Sequence, residues 1–247
     1  TVYYSWKIFN KKFIDFKDCI FLGVFAAIGF LSKYLFIYLL ISIDLLFFYL
    51  IFILKDRKFD SKYYIIFAIF ILILIPHIIW LTNNDYITIT YGLARTDFEQ
   101  SNILDHISLP LTFIVKQIGT IVPFLILIMF LVKKIKFRLN FKDKKLVFLI
   151  AINLVPIILM FFTSLITGSK IRTMWMTPFY IFFGVMFVYI LQSQINIKKL
   201  KNFFIAFMII FLISPITYAY ISVTKDYKRT DYPGKQIAEK VQQKWNE

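Results

Sequence analysis

An all-α integral membrane protein is the fold class the sequence predicts: a polytopic helical bundle of about seven spans over residues 1–223, with an extracytoplasmic domain beginning at 224–247. Three observations predict it. Of the 247 residues, 60% are apolar and only 17% charged, and the mean hydropathy is +0.73. The apolar residues gather in runs of about twenty, long enough to cross a hydrocarbon layer roughly 30 Å thick. The bases stand between these runs, a pattern foreign to a soluble enzyme domain.

The elements follow in order. Residues 1–18 are polar and basic rather than a short basic patch before an apolar core, so they do not read as a cleavable signal peptide. The first apolar run, Cys19 to Leu54, has 36 residues and as one helix would measure about 54 Å, nearly twice the hydrocarbon thickness. Ser32-Lys33 interrupts it, so it divides into spans at about 17–32 and 34–54 with Lys33 at the turn. Five further runs follow: Tyr63 to Leu81, Leu109 to Val132, Leu146 to Thr167, Met174 to Leu191 and Asn202 to Val223. Beyond Thr224 the chain turns polar, carries the turn signal Tyr232-Pro233-Gly234, and ends in an amphipathic stretch from Ile237 to Glu247. The opening Thr1 and this truncated helix read as the ends of a fragment.

Charge orders the loops. The net charge is +15, from 29 Lys and Arg against 14 Asp and Glu. With the amino terminus inside, 18 bases fall in the segments 1–18, 55–62, 133–145 and 193–201, and 10 in the segments between and after them; Lys116 lies inside a span. Cytoplasmic loops collect Lys and Arg, so Lys133 to Lys145 is expected inside and Thr82 to Ser108 outside. The partners of this excess are anionic headgroups and phosphate on a lipid-linked substrate; nucleic acid is not among them. Cys19 alone makes no internal disulfide, and no Cys/His cluster has metal-ligand spacing, so neither metal nor cofactor is expected.

Three clusters could carry chemistry. Lys33 between two apolar stretches either snorkels or meets an anion, and Asp44 lies eleven residues on, paired in the bundle or near a polar boundary. Pro76-His77-Ile78-Ile79-Trp80 precedes Asn83-Asn84-Asp85; His77 and Trp80, three apart, share a helix face that is an interfacial anchor or a wall for a sugar. Arg95 is the single base in a loop holding Asp85, Asp97, Glu99 and Asp105, held by Asp97 or Glu99 or kept for an anion. Gly168-Ser169-Lys170-Ile171-Arg172 places two bases in a short outer loop, against the usual charge tendency, and a phosphate would give them a use. Walker, Ser/His/Asp and paired-carboxylate patterns are missing, which leaves nucleotide hydrolysis and covalent hydrolase chemistry without support.

Together these clusters resemble the membrane glycosyltransferases of the protein O-mannosyltransferase and lipid A aminoarabinose transferase type, the GT-C enzymes that use polyprenyl-phosphate sugars. GVFAAIGFLSKY (Gly23 to Tyr34) resembles the family's Gly-x-Leu-x-Lys-Tyr stretch; PHIIW with NND, Tyr91 and Arg95 resembles its Pro-x-x-x-Trp segment and following loop. GSKIRTMWMTPFY is similar to its Trp-x-x-Pro segment, and YPGKQIAEKVQQKW to the opening of its extracytoplasmic domain. The resemblance implies transfer of a sugar, with inversion, from a polyprenyl phosphate to a hydroxyl of a glycan, lipid or protein on the outer side of a bacterial inner (plasma) membrane. Lys33 then matches a donor-phosphate lysine and Arg95 a phosphate-contacting arginine, with Lys170 and Arg172 beside them. Tyr34, His77, Trp80, Tyr91 and Trp175 line the sugar or acceptor cavity. The general base in this family is a carboxylate of the first outer loop, which would precede Thr1, so the catalytic residue is unassigned and Asp97 or Glu99 is not promoted to it. A transporter or flippase of lipid-linked sugars, or a structural membrane subunit, would share the composition; the first should show internal repeats, and none is visible.

Overall fold

The computed structural model describes residues 1–11, 13–56, 58–96, 102–132, 135–136, 139–224 and 233–246. These fold as helices α1 (Val2–Asn10), α2 (Phe16–Ser32), α3 (Ile37–Phe48), α4 (Tyr63–Asn83), α5 (Ile87–Ala94), α6 (Asp105–Leu131), α7 (Lys144–Asn153), α8 (Val155–Thr167), α9 (Phe183–Leu191), α10 (Leu200–Thr224) and α11 (Gly234–Asn246). Five helical stretches, Tyr34–Ile53, Tyr63–Asn83, Asp105–Leu131, Lys144–Thr167 and Ile197–Thr224, are long and apolar enough to cross a membrane; a pair bent by 54°, Thr173–Tyr180 with Phe183–Leu191, makes a sixth. The 17 residues of α2 give about 26 Å of helix and are not among these elements, so the described residues hold five or six where the sequence reading expected about seven. The chain is thus a multi-pass integral membrane protein.

Two compact units divide the chain: Thr1–Val122 with Ile135–Ile195, and Pro123–Lys134 with Asn196–Glu247. In the first, α3, α7, α8 and α9 surround a core that includes Leu46, Leu50, Phe148, Met160, Met176 and Met186. In the second, Val132 and Ala206 are buried, Leu131 accepts from the Asn196 N–H and Val132 from the Lys199 ammonium.

The break at Lys33 has a local cause. Ser32 Oγ donates to the Ile28 carbonyl and the Lys33 N–H to that of Gly29, closing α2, while Lys33 turns extended (φ −162°, ψ 118°). A 3-10 turn, Tyr34–Phe36, leads back into α3 and lays the Phe36 ring on Gly29, where a Cβ would stand 2.4 Å from a ring carbon. A side chain at Gly29 would require that ring to move. A second glycine, Gly23, sets the approach of α2 to α4: a Cβ there would lie 2.7 Å from the Ile66 carbonyl oxygen and 2.9 Å from Ile69 Cβ. Small residues at such crossings let helix backbones meet in the apolar phase, where packing rather than water expulsion drives association.

Contacts along the spans fix their direction. Gly23 faces Ile66 and Tyr34 meets His77, so α2 and α4 pack directly and run parallel, while the intervening α3 returns the chain and sets its Phe47 ring 5.3 Å from that of Tyr63, tilted by 58°. One end of the first unit therefore holds Lys33, the close of α4 and α5. At the other end Asp56 pairs with Lys144 at 2.6 Å, and the buried Asp18 accepts from Lys7 at 2.6 Å and Lys11 at 2.8 Å. The hydrogen bond that the Lys7 ammonium donates to Asp18 holds its pKa above the ordinary value. Asp143 caps α7 through the Lys145 N–H and accepts from Tyr189 at 2.5 Å, which together keep its carboxyl below the usual range. This sorting of loops into two ends matches the sorting by charge.

Several boundaries differ from the sequence reading. The span expected at Leu146–Thr167 is two helices broken at Leu154, because Pro156 in the first turn of α8 has no N–H to continue the ladder. Met174–Leu191 opens as a 3-10 segment, Thr173–Tyr180, containing Pro178, before bending into α9. The expected loop Thr82 to Ser108 holds α5, entered through two left-handed residues, Asp85 (φ 49°) and Tyr86 (φ 53°). Residues 1–18 are not merely a polar lead: α1 folds against α2 and buries Ile8 and Phe9. Asp97, Glu99, Lys133, Lys134 and Tyr232 lie outside the described residues.

Which end faces out is measurable with thiols. In a Cys19→Ser background, Asp85→Cys is expected to react with an impermeant reagent added outside intact cells, and Lys142→Cys only after permeabilisation. Equal outside labelling would overturn the orientation.

Candidate functional site

The end of the first unit that carries Lys33 also carries an open cleft of about 500 Å³ lined by Leu31, Ser32, Lys33, Tyr34, His77, Trp80 and Thr88. Three elements build it: the end of α2, the last turns of α4, and α5. The Tyr34 hydroxyl is the hub, 2.7 Å from His77 Nε2 and 2.8 Å from Thr88 Oγ1, so that it ties α4 and α5 to the turn after Lys33. The His77 ring stacks on Trp80, centroids 5.9 Å apart and planes within 13°, which gives one wall a flat aromatic face. That pairing follows from their i, i+3 spacing on α4.

Lys33 is exposed at the rim, its Nζ 3.5 Å from the Trp175 carbonyl oxygen. The extended backbone at Lys33 points a cation away from the helix ladder, and among the described residues its ammonium has one acceptor, at 3.5 Å, which leaves it donors for a ligand. Trp175 contributes to this rim through its backbone. The loop before it is folded by Gly168, left-handed at φ 62°, by Ser164 Oγ donating to the Ser169 carbonyl, and by the Lys170 N–H donating to Thr96. That last bond straps the Gly168–Arg172 loop to the residue after Arg95.

The structure thus brings Lys33, Tyr34, His77 and Trp80 into one cleft, with Trp175 at its edge. It does not place Tyr91, Arg95, Lys170 or Arg172 in the lining. The Arg95 guanidinium lies over the Tyr91 ring at 5.6 Å, and Lys170 and Arg172 are exposed on the neighbouring loop. Asp44 sits at mid-span and lines a separate apolar cavity of about 430 Å³ between α2, α3 and α4. Sequence reasoning missed Thr88, since a threonine in an Ile-Thr-Ile-Thr stretch carries no signal until Tyr34 is seen to reach it. Among the described residues no carboxylate lines the cleft, and no group of three or more His, Cys, Asp or Glu could hold a metal ion.

Chemically, the cleft offers one exposed cation, a hydroxyl pair, an imidazole and an indole face, groups able to pair with an anion and to stack on a flat apolar surface. The Tyr34 hub is testable alone. Tyr34→Phe removes two hydrogen bonds at about 1 kcal/mol each, so thermal unfolding should show about 1–2 kcal/mol of lost stability. No change would mean the hub does not hold the cleft.

No curated protein and no solved structure matches the chain. Residues 1–80 match the family model described as dolichyl-phosphate-mannose-protein mannosyltransferase, a segment running from α1 through Trp80 and including Lys33, Tyr34 and His77. Over that segment the resemblance to the GT-C membrane glycosyltransferases holds, and it marks the chain as similar to enzymes of the mannosyltransferase type.

Proposed function

We propose that the protein transfers a sugar from a polyprenyl-phosphate donor to an acceptor hydroxyl on the extracytoplasmic side of a bacterial inner membrane. The observation that carries this reading is Lys33: a cation presented at a helix break, 3.5 Å from one carbonyl, on the rim of a cleft walled by Tyr34, His77 and Trp80. The acceptor hydroxyl, losing its proton to a general base outside these cleft residues, attacks the anomeric carbon as the carbon–oxygen bond to phosphate breaks, which inverts that centre and releases the polyprenyl phosphate. Lys33 binds the departing phosphate, whose charge grows along this path, and so stabilises the transition state more than the ground state. Trp80 and His77 hold the sugar face. Arg95, Lys170 and Arg172, on segments joined by the Lys170–Thr96 bond, supply further positive charge for the polyprenyl phosphate, with Tyr91 and Trp175 beside them.

The reading is tested in membranes carrying the full-length protein, supplied with a polyprenyl phosphate bearing radiolabelled mannose. Label is expected to pass to acceptor material while free polyprenyl phosphate accumulates. Movement of the intact labelled lipid across the bilayer, with no cleavage of the sugar bond, would replace the enzyme by a transporter.

A further inference from the structure

Helix α11 carries an apolar face that no described residue covers. Ile237, Val241 and Trp245 recur every fourth residue, and Val241 and Trp245 are 62% and 87% exposed. At 100° per residue these three side chains occupy an arc of about 80° centred on Val241. Lys240 and Lys244 lie about 100° and 60° to one side of Val241, Lys235 about 120° to the other, and Glu239, the one acid of the helix, about 160° away. The pattern is an apolar stripe edged by ammonium groups, with the carboxylate turned to the far side. It is the arrangement of a helix lying in a membrane surface, where lysine stems cover apolar area while their heads reach phosphate.

What covers the face is argued from charge and reach. Three lysines edge the stripe, so its complement is anionic as well as apolar; a protein groove of that kind would need carboxylates around a hydrophobic floor, whereas an anionic leaflet offers both everywhere. The helix also follows a membrane-spanning element closely. Nine residues separate the end of α10 at Thr224 from Gly234, and fully extended they reach about 30 Å at most, so α11 begins within reach of the headgroup layer at which α10 ends. Trp245, with an apolar ring and one N–H donor, is the residue type favoured at that depth.

We infer that α11 is an interfacial helix, docked by its Ile237–Val241–Trp245 face on the anionic membrane surface at the end of α10. The inference is independent of sugar transfer; it concerns how the chain after α10 is held against the bilayer.

Spin labels decide it in the whole chain, reconstituted in nanodiscs in a Cys19→Ser background. With 30% phosphatidylglycerol in phosphatidylcholine, a label on Val241→Cys is expected to collide with oxygen and be shielded from a water-soluble nickel complex, while one on Glu239→Cys shows the reverse. In pure phosphatidylcholine, or with Lys240→Gln and Lys244→Gln together, the inserted fraction relative to the free one should fall roughly tenfold or more. Three results would overturn the inference. Equal access of nickel to both sites would mean a helix in water. Shielding of Val241→Cys from both reagents would mean a protein partner. Insertion indifferent to lipid charge would remove the anionic surface as the occupant.

Discussion

Lys33→Ala in the full-length protein is expected to lower sugar transfer by about 10- to 150-fold with thermal stability unchanged. The size follows from losing one charge-assisted hydrogen bond to a phosphate, about 1.5–3 kcal/mol. Stability should hold because Lys33 is exposed and its one partner among the described residues is a carbonyl at 3.5 Å. The fall should appear in kcat as well as in donor KM, since phosphate charge rises as the sugar leaves. Lys33→Arg should recover part of the rate, because it restores charge with a different geometry. Wild-type turnover by Lys33→Ala would reduce Lys33 to a snorkelling residue at a helix end.

Gly23→Leu should be the most damaging single change to the fold. Its first side-chain carbon would already overlap the Ile66 carbonyl and Ile69 Cβ, and neither can swing aside as the tip of a long side chain can. Overpacking of this kind costs typically about 1–3 kcal/mol, and more where backbone must move. Because α2 and α4 bear opposite walls of the cleft, their separation pulls Lys33 from His77 and Trp80. Loss of monodisperse protein in detergent, or a large fall in unfolding temperature together with lost transfer, is expected; Gly23→Ala should be milder. Unaltered stability in Gly23→Leu would mean that α2 and α4 do not cross at this point.

The division of the long apolar run at Ser32-Lys33 was legible because a charged residue between apolar stretches is costly in lipid unless it reaches an end. His77 and Trp80 were legible as neighbours by helical spacing. What joined them to Lys33 was not: the link is the Tyr34 hydroxyl between His77 and Thr88, 43 and 54 residues away in sequence. Helices apolar on every side carry no amphipathic signal, so the sequence could not say which face of α4 meets α2, nor that Gly23 marks it. The bend after Tyr180 and the break before Val155 escaped for a related reason, since hydropathy registers a proline only as one more residue in an apolar run. The buried Asp18, held by Lys7 and Lys11, was hidden among the charges of a segment read as a polar lead, because only the folding of α1 onto α2 makes it internal.

The central claim is that this cleft binds the phosphate of a lipid-linked sugar, and the most direct measurement compares one polyprenyl phosphate with the polyprenol of the same chain length on the chain in nanodiscs. Their apolar tails are identical, so any difference in affinity belongs to the phosphate. The phosphate is expected to bind at least about tenfold more tightly, as one charged hydrogen bond requires, and to lose that advantage in Lys33→Ala. Equal affinity for the two lipids, or a phosphate preference untouched by Lys33→Ala, would contradict it.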